Sequence, residues 1–208
     1  AVADIADTIR YTGYVSSPFA PPQNAPRRNG VVVSVGGGAV GGPLLRCALA
    51  ARPLSRLCDA PWRILTGPNL PDPDRQLLNG PGGILPGGVE IKRFDPDFRA
   101  LLSRSAVSIS QAGYNTIMDV LATRTPAVLA PFSGEGETEQ TIRAELLARQ
   151  PGFHFVPDAE LSPRRLADAV DAAMDSENDR TSTPIRSLNL NGAVETAKIM
   201  LNLAALKP

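Results

Sequence analysis

The stretch that decides the fold is residues 101–132, LLSRSAVSISQAGYNTIMDVLATRTPAVLAPF. It predicts the end of a helix, a buried strand at 106–110, a turn around Gly113, a helix at 116–123 and a second buried strand at 127–131. A strand that leads through a helix into another strand is the repeating unit of parallel α/β sheets. The turn joins the carboxyl end of a strand to the N-terminus of a helix. Ligands of open α/β sheets bind at this edge, and the free N–H groups and positive dipole end of the helix favour an anion.

The same alternation continues on both sides of this stretch. Val31-Val-Val-Ser-Val35 is continuous and β-branched, as expected of a strand buried on both faces. Further strands are predicted at 62–67, 88–94 and 153–156, the one at 88–94 being more exposed. Further helices are predicted at 43–57 (with Pro53 expected to kink it or end it early), 76–79, 95–105 (capped by Asp95, with Pro96 at its first position), 138–149, 162–174 and 192–206. The predicted fold class is α/β, a doubly wound, mostly parallel six-stranded sheet with helices on both faces.

The composition sets limits on the function. The 208 residues are 43% hydrophobic, enough for a full core, and Lys plus Arg equals Asp plus Glu at 21 each. The zero net charge argues against a nucleic-acid partner, and no apolar run is long enough to span a membrane. Residues 1–30 predict an irregular linker with one short strand at 10–15, and residues 31–208 predict the folded domain. The chain is expected to be a piece of a longer protein, because it begins without Met or a signal-peptide pattern.

A glycine-rich turn follows the first predicted strand. Residues 36–41 fit the pattern G-x-G-x-x-G, which alone suggests a dinucleotide site. That site also needs an acidic residue at the end of the second strand, and residues 65–67 supply none. A dinucleotide is therefore disfavoured, while close approach of an anionic group to the glycine backbone remains expected. A tight turn without any ligand is the alternative.

Two further motifs follow strands. Thr116 and Asp119 have the spacing of a capping box, so Asp119 could bond back to the helix start. In the functional interpretation Asp119 instead accepts hydrogen bonds from ribose hydroxyls. Residues 133–140 contain three glutamates around the start of a predicted helix. Their negative charges stabilise the helix by interacting with the positive end of its dipole. If this motif touches a ligand, Glu139 and Gln140 are expected to meet the hydroxyls of a neutral sugar.

The remaining reactive side chains predict no catalytic set. His154, the only histidine, lies in a short apolar strand and is expected to be a half-buried strand residue. Cys47 and Cys58 are expected to be reduced thiols that pack in the fold. No Ser-His-Asp set, metal-ligand cluster or phosphate-binding P-loop motif is found.

A resemblance to a known family rests mainly on residues 110–132, SQAGYNTIMDVLATRTPAVLAPF. Together with Glu139 and Gln140, this stretch resembles the C-terminal domain of GT-B-fold glycosyltransferases. The resemblance is to family 28, and within it to a set of bacterial predicted glycosyltransferases. It covers about residues 9–160. The resemblance implies a Rossmann-like donor domain of a two-domain enzyme whose acceptor-binding N-terminal domain lies outside this chain.

The resemblance also implies which residues bind the donor, a nucleoside-diphosphate sugar that is usually UDP-linked. Gly37 and Gly38 match the first glycine-rich loop of the family, and Phe94 and Asp95 match the strand end whose backbone reads the base. Asp119 stands where the family has a glutamate on the ribose. The diphosphate turn corresponds to Gly113, Tyr114, Asn115 and Thr116, and the contacts to the sugar correspond to Glu139 and Gln140. An arginine that a family 28 enzyme carries near the phosphates has no counterpart after Gly13.

The intact parent is then expected to transfer a hexosyl or N-acetylhexosaminyl group to an acceptor, without a metal and without a cofactor besides the donor. The domain alone is expected to bind nucleotide weakly and to be inactive. The resemblance further implies a cytoplasmic protein at the inner face of the membrane, with peripheral membrane association. A nucleotide-sugar hydrolase or epimerase, and a non-catalytic nucleotide-binding module, are the alternatives.

Overall fold

The protein is described here from a computed structural model that covers residues 3–17, 19–20, 27–78, 85–134, 138–175 and 189–205. The glutamates Glu135 and Glu137, half of the Gly/Pro-rich stretch at 81–88 and most of the polar stretch at 175–187 lie outside these residues.

Six parallel strands form one sheet in the order β3-β2-β1-β4-β5-β6. The strands are β1 (Val31–Ser34), β2 (Trp62–Leu65), β3 (Val89–Lys92), β4 (Val107–Ser110), β5 (Ala127–Leu129) and β6 (Phe153–Phe155). The helices are α1 (Gly42–Ala51), α2 (Asp72–Leu78), α3 (Phe98–Arg104), α4 (Tyr114–Thr123), α5 (Glu139–Leu147), α6 (Pro163–Asp175) and α7 (Gly192–Ala205). The predicted doubly wound fold is confirmed.

Two apolar layers hold the helices on the sheet. Successive residues of a strand point to opposite faces, so β1 contributes Val31 and Val33 to one layer and Val32 to the other. Side chains of α1, α2 and α6 fill the first layer, and those of α3, α4 and α5 fill the second. The central strands β1 and β4 are buried along their whole length, whereas the edge strand β3 alternates between half-buried and exposed residues.

One predicted boundary is confirmed and two others shift. Pro53 ends α1 at Ala51 as expected, and residues Arg52–Leu54 continue as a short 3₁₀ helix. The helix predicted at 76–79 begins earlier, at Asp72. The strand predicted at 88–94 is shorter, so Phe94 and Asp95 lie in the loop after β3.

The cap predicted for α3 was wrong. Asp97, not Asp95, precedes the helix, which begins at Phe98 rather than at Pro96. The Asp95 carboxylate accepts a hydrogen bond from the Asp97 backbone N–H at 2.9 Å, forming a local turn before the helix starts.

The N-terminal segment contains a 3₁₀ helix at Ala3–Thr8 and no strand among its described residues, so the strand predicted at 10–15 was wrong. Instead, Val15 forms a single antiparallel bridge with Asn191. The Tyr14 N–H donates to the Asn189 carbonyl at 2.7 Å, and the Gly192 N–H donates to the Tyr14 carbonyl at 2.8 Å. These bonds fasten the N-terminal segment to the residues that lead into α7. Within the described residues, none of the helices has the length and apolar character needed to cross a bilayer.

Candidate functional site

A cleft of about 250 Å³ opens at the carboxyl ends of the central strands. The parallel register places Ser34 at the end of β1 beside Leu65 of β2 on one side and Ser110 of β4 on the other. The chain leaves β1 for β2 over one face of the sheet and β4 for β5 over the other, so the helices diverge here and leave a crevice. We call it the switch-point cleft; it is lined by Ser34, Gly36, Leu65, Gly67, Pro68, Arg93, Phe94, Asp95, Phe98 and Thr116.

The glycine-rich turn forms one side of this cleft. Gly36 and Gly67 both have positive φ angles, +68° and +71°, and a Cβ atom on Gly67 would lie 2.0 Å from the Gly36 carbonyl oxygen. The Asn69 side chain, in the loop after β2, donates to the Gly37 carbonyl at 2.7 Å and so connects that loop to the glycine-rich turn. Gly37 and Gly38 are exposed, and a Cβ atom on either would meet nothing within 4 Å among the described residues. Their backbone is therefore open to an incoming group.

The turn before α4 forms the facing side. Gly113 precedes the helix with extended backbone (ψ 143°), and α4 begins at Tyr114, two residues earlier than predicted. Ala112, just before it, has a φ of +62°, which is unusual for a residue with a side chain. Thr116 consequently lies in the first helical turn and lines the switch-point cleft. The N–H groups at this helix start have no partner within the helix.

The capping-box interpretation of Thr116 and Asp119 was wrong. No side chain caps α4, and the Asp119 carboxylate forms an ion pair with Arg99 of α3, with 2.5 Å between Nε and Oδ1. Both side chains are largely buried between α3 and α4, and Val120 and Leu121 of the same helix face the apolar layer. Asp119 thus lies about one turn further along α4 than Thr116, and Arg99 holds its carboxylate in place.

Phe94 and Asp95 line the far end of the switch-point cleft, after β3. The Phe94 side chain is 68% exposed, and the neighbouring Arg93 donates from Nη2 to the Pro68 carbonyl at 2.9 Å. A flat, exposed aromatic ring beside backbone groups is a suitable surface for a nucleobase.

Tyr114, Glu139 and Gln140 stand apart from this cleft. Tyr114 and Glu139 line a second groove of about 660 Å³ between α4 and α5. The Glu139 carboxylate is paired with Arg143 one turn further along α5, and the buried Gln140 Oε1 has no hydrogen-bond partner among the described residues. The structure therefore brings Gly37, Gly38, Phe94, Asp95, Gly113, Asn115 and Thr116 to one edge of the sheet, whereas Tyr114 and Glu139 face the second groove and Gln140 follows Glu139 on α5.

The cleft contains residues that the sequence analysis did not single out. Ser34, Gly67, Arg93 and Phe98 line it, and Arg99 pairs with Asp119 behind it. The hydroxyl of Ser34, which lines the cleft, and that of Ser110, its register partner on β4, are buried and have no hydrogen-bond partner among the described residues. Ser34 and Gly67 end strands that were predicted, so their position at the ligand edge could have been inferred from the parallel order. The Arg99–Asp119 pair could not, because it joins two helices 20 residues apart.

The single histidine and the two cysteines lie elsewhere. Burial lowers the pKa of His154 on β6, and a hydrogen bond involving the Ala172 backbone partly opposes this. Burial raises the pKa of the Cys47 thiol to about 11, and Cys47 and Cys58 are both free. The predicted position of His154 as a half-buried strand residue is confirmed, and both cysteines are partly buried in the fold as expected.

A family model described as "Glycosyltransferase family 28 C-terminal domain" matches residues 32–199. The chain is also similar to two proteins that carry the name UDP-N-acetylglucosamine–N-acetylmuramyl-(pentapeptide) pyrophosphoryl-undecaprenol N-acetylglucosamine transferase. The relative from Rippkaea orientalis is 30% identical over 176 residues, 79% of this chain and 46% of the relative. The relative from Rhizobium etli is 25% identical over 130 residues, 62% of this chain and 34% of the relative. The chain thus spans less than half the length of these relatives.

Solved structures share the fold. The calicheamicin glycosyltransferase CalG4 superposes with a TM-score of 0.66 at 20% identity, covering 94% of this chain and 47% of that chain. MurG of Acinetobacter baumannii superposes with a TM-score of 0.55 at 15% identity, covering 84% of this chain and 51% of that chain. The architecture described above therefore corresponds to about one half of larger proteins of the GT-B fold.

Proposed function

Because the chain belongs to the glycosyltransferase family 28 C-terminal domain family, we propose that it binds a nucleoside-diphosphate sugar as the donor domain of a glycosyltransferase. The observation that supports this most is the switch-point cleft, which lies between the exposed glycine turn and the start of α4. In this proposal the intact protein also contains an acceptor-binding domain.

The donor is proposed to lie along the cleft with its diphosphate at Gly113–Thr116, opposite Gly37 and Gly38. The base then lies against Phe94 and Asp95, and the ribose hydroxyls reach Asp119. Arg99 occupies Oδ1 of Asp119, so a ribose hydroxyl would bind Oδ2.

The sugar is proposed to extend towards Glu139 and Gln140 at the start of α5. The buried Gln140 Oε1, which lacks a partner among the described residues, supports a polar contact there, because an unpaired buried oxygen is costly. The ion pair of Glu139 with Arg143 leaves its second carboxylate oxygen for a hydroxyl.

The base is proposed to be uracil and the sugar N-acetylglucosamine or a related hexose. Support comes from the two relatives above, whose names specify a UDP-N-acetylglucosamine donor. The acceptor has no such support, because the matched part of those relatives is less than half of each protein. Cytoplasmic location and peripheral membrane attachment of the intact protein belong to the same proposal.

The proposed reaction is a direct displacement at the anomeric carbon of the sugar. The oxygen of an acceptor hydroxyl bonds to that carbon and gives up its proton to a base in the acceptor-binding domain, while the bond between the carbon and the diphosphate oxygen breaks. Negative charge then grows on the diphosphate leaving group. We propose that the N-terminus of α4 and the backbone N–H groups of the glycine turn stabilise this charge, which would favour the transition state over the bound donor. The basic side chain that lines the cleft, Arg93, would add to this field.

Isothermal titration calorimetry with UDP, UDP-N-acetylglucosamine, GDP and NADH tests the proposal. We expect the chain to bind the uridine nucleotides, to bind GDP more weakly and not to bind NADH. Absence of binding for every uridine nucleotide at millimolar concentration would contradict the uridine donor. Release of free sugar from UDP-N-acetylglucosamine in water would instead favour a nucleotide-sugar hydrolase, and binding by an intact protein that transfers nothing would favour a non-catalytic module.

Asp119→Asn is the first substitution to test. It removes the charge that accepts from the ribose, so we expect UDP affinity to fall about tenfold or more, as for loss of a hydrogen bond to a charged group. Asp168→Asn is the matched control, because Asp168 pairs with Arg164 on the exposed surface of α6. Equal UDP affinity for both variants and the unsubstituted chain would remove Asp119 from the site.

A further inference from the structure

We propose that Arg99 is a positioning residue that orients the Asp119 carboxylate for the ribose and connects it to residues 14–17, the linker segment. This inference rests on the proposed function, since it concerns how the same donor site is held. Arg99 lies on α3, outside the lining of the switch-point cleft, and none of the family motifs identified in the sequence includes it.

The contact with Asp119 fixes one carboxylate oxygen. Arg99 Nε lies 2.5 Å from Asp119 Oδ1, and the two side chains are 24% and 22% exposed. Partial burial weakens screening by water, so this pair is more strongly held than an exposed one. With Oδ1 fixed, the second oxygen has a defined direction rather than a choice of rotamers.

The other two nitrogens of the same guanidinium bind the linker segment. Nη1 donates to the Ser17 carbonyl at 2.7 Å, and Nη2 donates to the Ser16 hydroxyl at 3.4 Å. All three nitrogens are therefore used, two of them towards the chain that enters the domain. Because the guanidinium is planar and rigid, the direction of the Asp119 carboxylate depends on where residues 16 and 17 lie.

The linker segment is held by α4 at a second point. The Val15 N–H donates to the Tyr114 hydroxyl at 3.1 Å, and the rings of Tyr14 and Tyr114 lie 6.2 Å apart. Tyr114 belongs to the proposed diphosphate turn, and Asp119 is the proposed ribose acceptor. Both ends of the proposed nucleoside-diphosphate contact on α4 thus reach the linker segment, the second through Arg99.

A pair of ligands tests this on the full chain: UDP and its 2′,3′-dideoxy analogue, which lacks the ribose hydroxyls. The unsubstituted chain should bind UDP roughly tenfold or more tightly than the analogue, as expected for hydroxyls that donate to a carboxylate. Arg99→Met keeps the aliphatic part of the side chain and removes the guanidinium group. It should reduce the ratio of the affinity for UDP to that for the analogue to about threefold or less, while leaving the affinity for the analogue unchanged. Arg104→Met, on the exposed last turn of the same helix, should keep the original ratio.

Hydrogen exchange provides a readout that a purely structural role would not change. UDP should slow exchange of the amides at residues 15–17 in the unsubstituted chain, and the dideoxy analogue should not. Arg99→Met should abolish that difference between the two ligands. If this variant does not fold, Arg99→Lys keeps one donor and the charge and should give an intermediate ratio.

A ratio in Arg99→Met equal to that of the unsubstituted chain would overturn the role of Arg99 and leave the donor site standing. An Arg99→Lys variant that folds and also keeps the full ratio would overturn it in the same way. Failure of the unsubstituted chain to bind UDP at all would contradict the proposed function and this inference with it.

Discussion

Gly67 shows how a single missing side chain shapes the candidate site. It follows β2, has a positive φ, and lies so close to the glycine turn that its missing Cβ leaves room for the Gly36 carbonyl. Two separate loops therefore meet through backbone alone, which fixes the width of the cleft between them.

Gly67→Ala should consequently impair both stability and binding. The left-handed backbone and the 2.0 Å approach to the Gly36 oxygen should lower the free energy of unfolding by roughly 2 kcal/mol or more. UDP affinity should fall as well, because the displaced Gly36 turn lines the cleft. Urea denaturation and calorimetry would measure the two effects. Gly87→Ala, where the added Cβ meets nothing within 4 Å, is the control and should change neither.

Protonation of His154 should make the stability of the fold depend on pH. Burial holds its pKa below the ordinary value of 6.5, so the unfolded chain takes up this proton at a higher pH than the folded chain does. The contribution to stability is complete above about pH 6.5 and is lost as the pH falls through the lowered pKa. Denaturation at pH 7.5 and 5.5 should show the loss, and His154→Gln should reduce it. An identical pH dependence in this variant would show that other groups cause it.

Arg143 connects two secondary-structure elements, because it joins α5 to the turn before α4. Its guanidinium donates to the Ala112 carbonyl at 2.8 Å, pairs with Glu139, and lies 5.7 Å from the centre of the Tyr114 ring. The side chain is only 15% exposed. The unusual φ of Ala112 is thus supported from a neighbouring helix rather than from within its own turn.

Arg143→Met should therefore lower the free energy of unfolding by about 1–3 kcal/mol, the range for losing a hydrogen bond to a charged group and a cation–π contact. Arg164→Met is a matched control, since Arg164 forms an exposed pair with Asp168 on α6 and should cost at most about 0.5 kcal/mol. Chemical denaturation of both variants measures the difference. Equal losses would mean that the Ala112 contact contributes nothing to stability.

The sequence predicted most secondary-structure elements correctly. The wrong predictions concern residues whose contacts are distant in the chain. Buried β-branched runs and Gly/Pro boundaries located all six strands, because local preference and burial agree there. The start of α4 was misplaced because Thr116 and Asp119 imitate a local cap, whereas the Asp119 carboxylate binds Arg99 on another helix. The bridge between Val15 and Asn191 likewise joins the two ends of the chain, which no local pattern can predict.

The whole molecule divides into a buried α/β body and one helix that buries little of itself. In α7 only Gly192 is buried, while Met200 and Leu201 are 66% and 70% exposed. The stability of the body should therefore not depend on the side chains of this helix.

Deletion of residues 193–208 should shift the thermal midpoint by less than about 2 °C, because a change of 1 kcal/mol moves the midpoint of a chain of this size by about 2–4 °C. Gly192, whose N–H bonds to the Tyr14 carbonyl, is retained in this variant. Calorimetric scanning would measure the midpoint. A fall of 5 °C or more would show that α7 stabilises the body.

The strand order has a consequence for how the chain is made. β1 lies in the middle of the sheet, yet one of its two neighbours, β4, begins only at Val107. During synthesis the ribosome releases β1, β2 and β3 first. The backbone N–H and C=O groups on one edge of Val31–Ser34 then stay unpaired until β4 has been made. Pairing of β1 with β4 also closes the longest loop between neighbouring strands, so we expect it to be the slow step of folding. A nascent chain stalled before Val107 would be the species most in need of a chaperone.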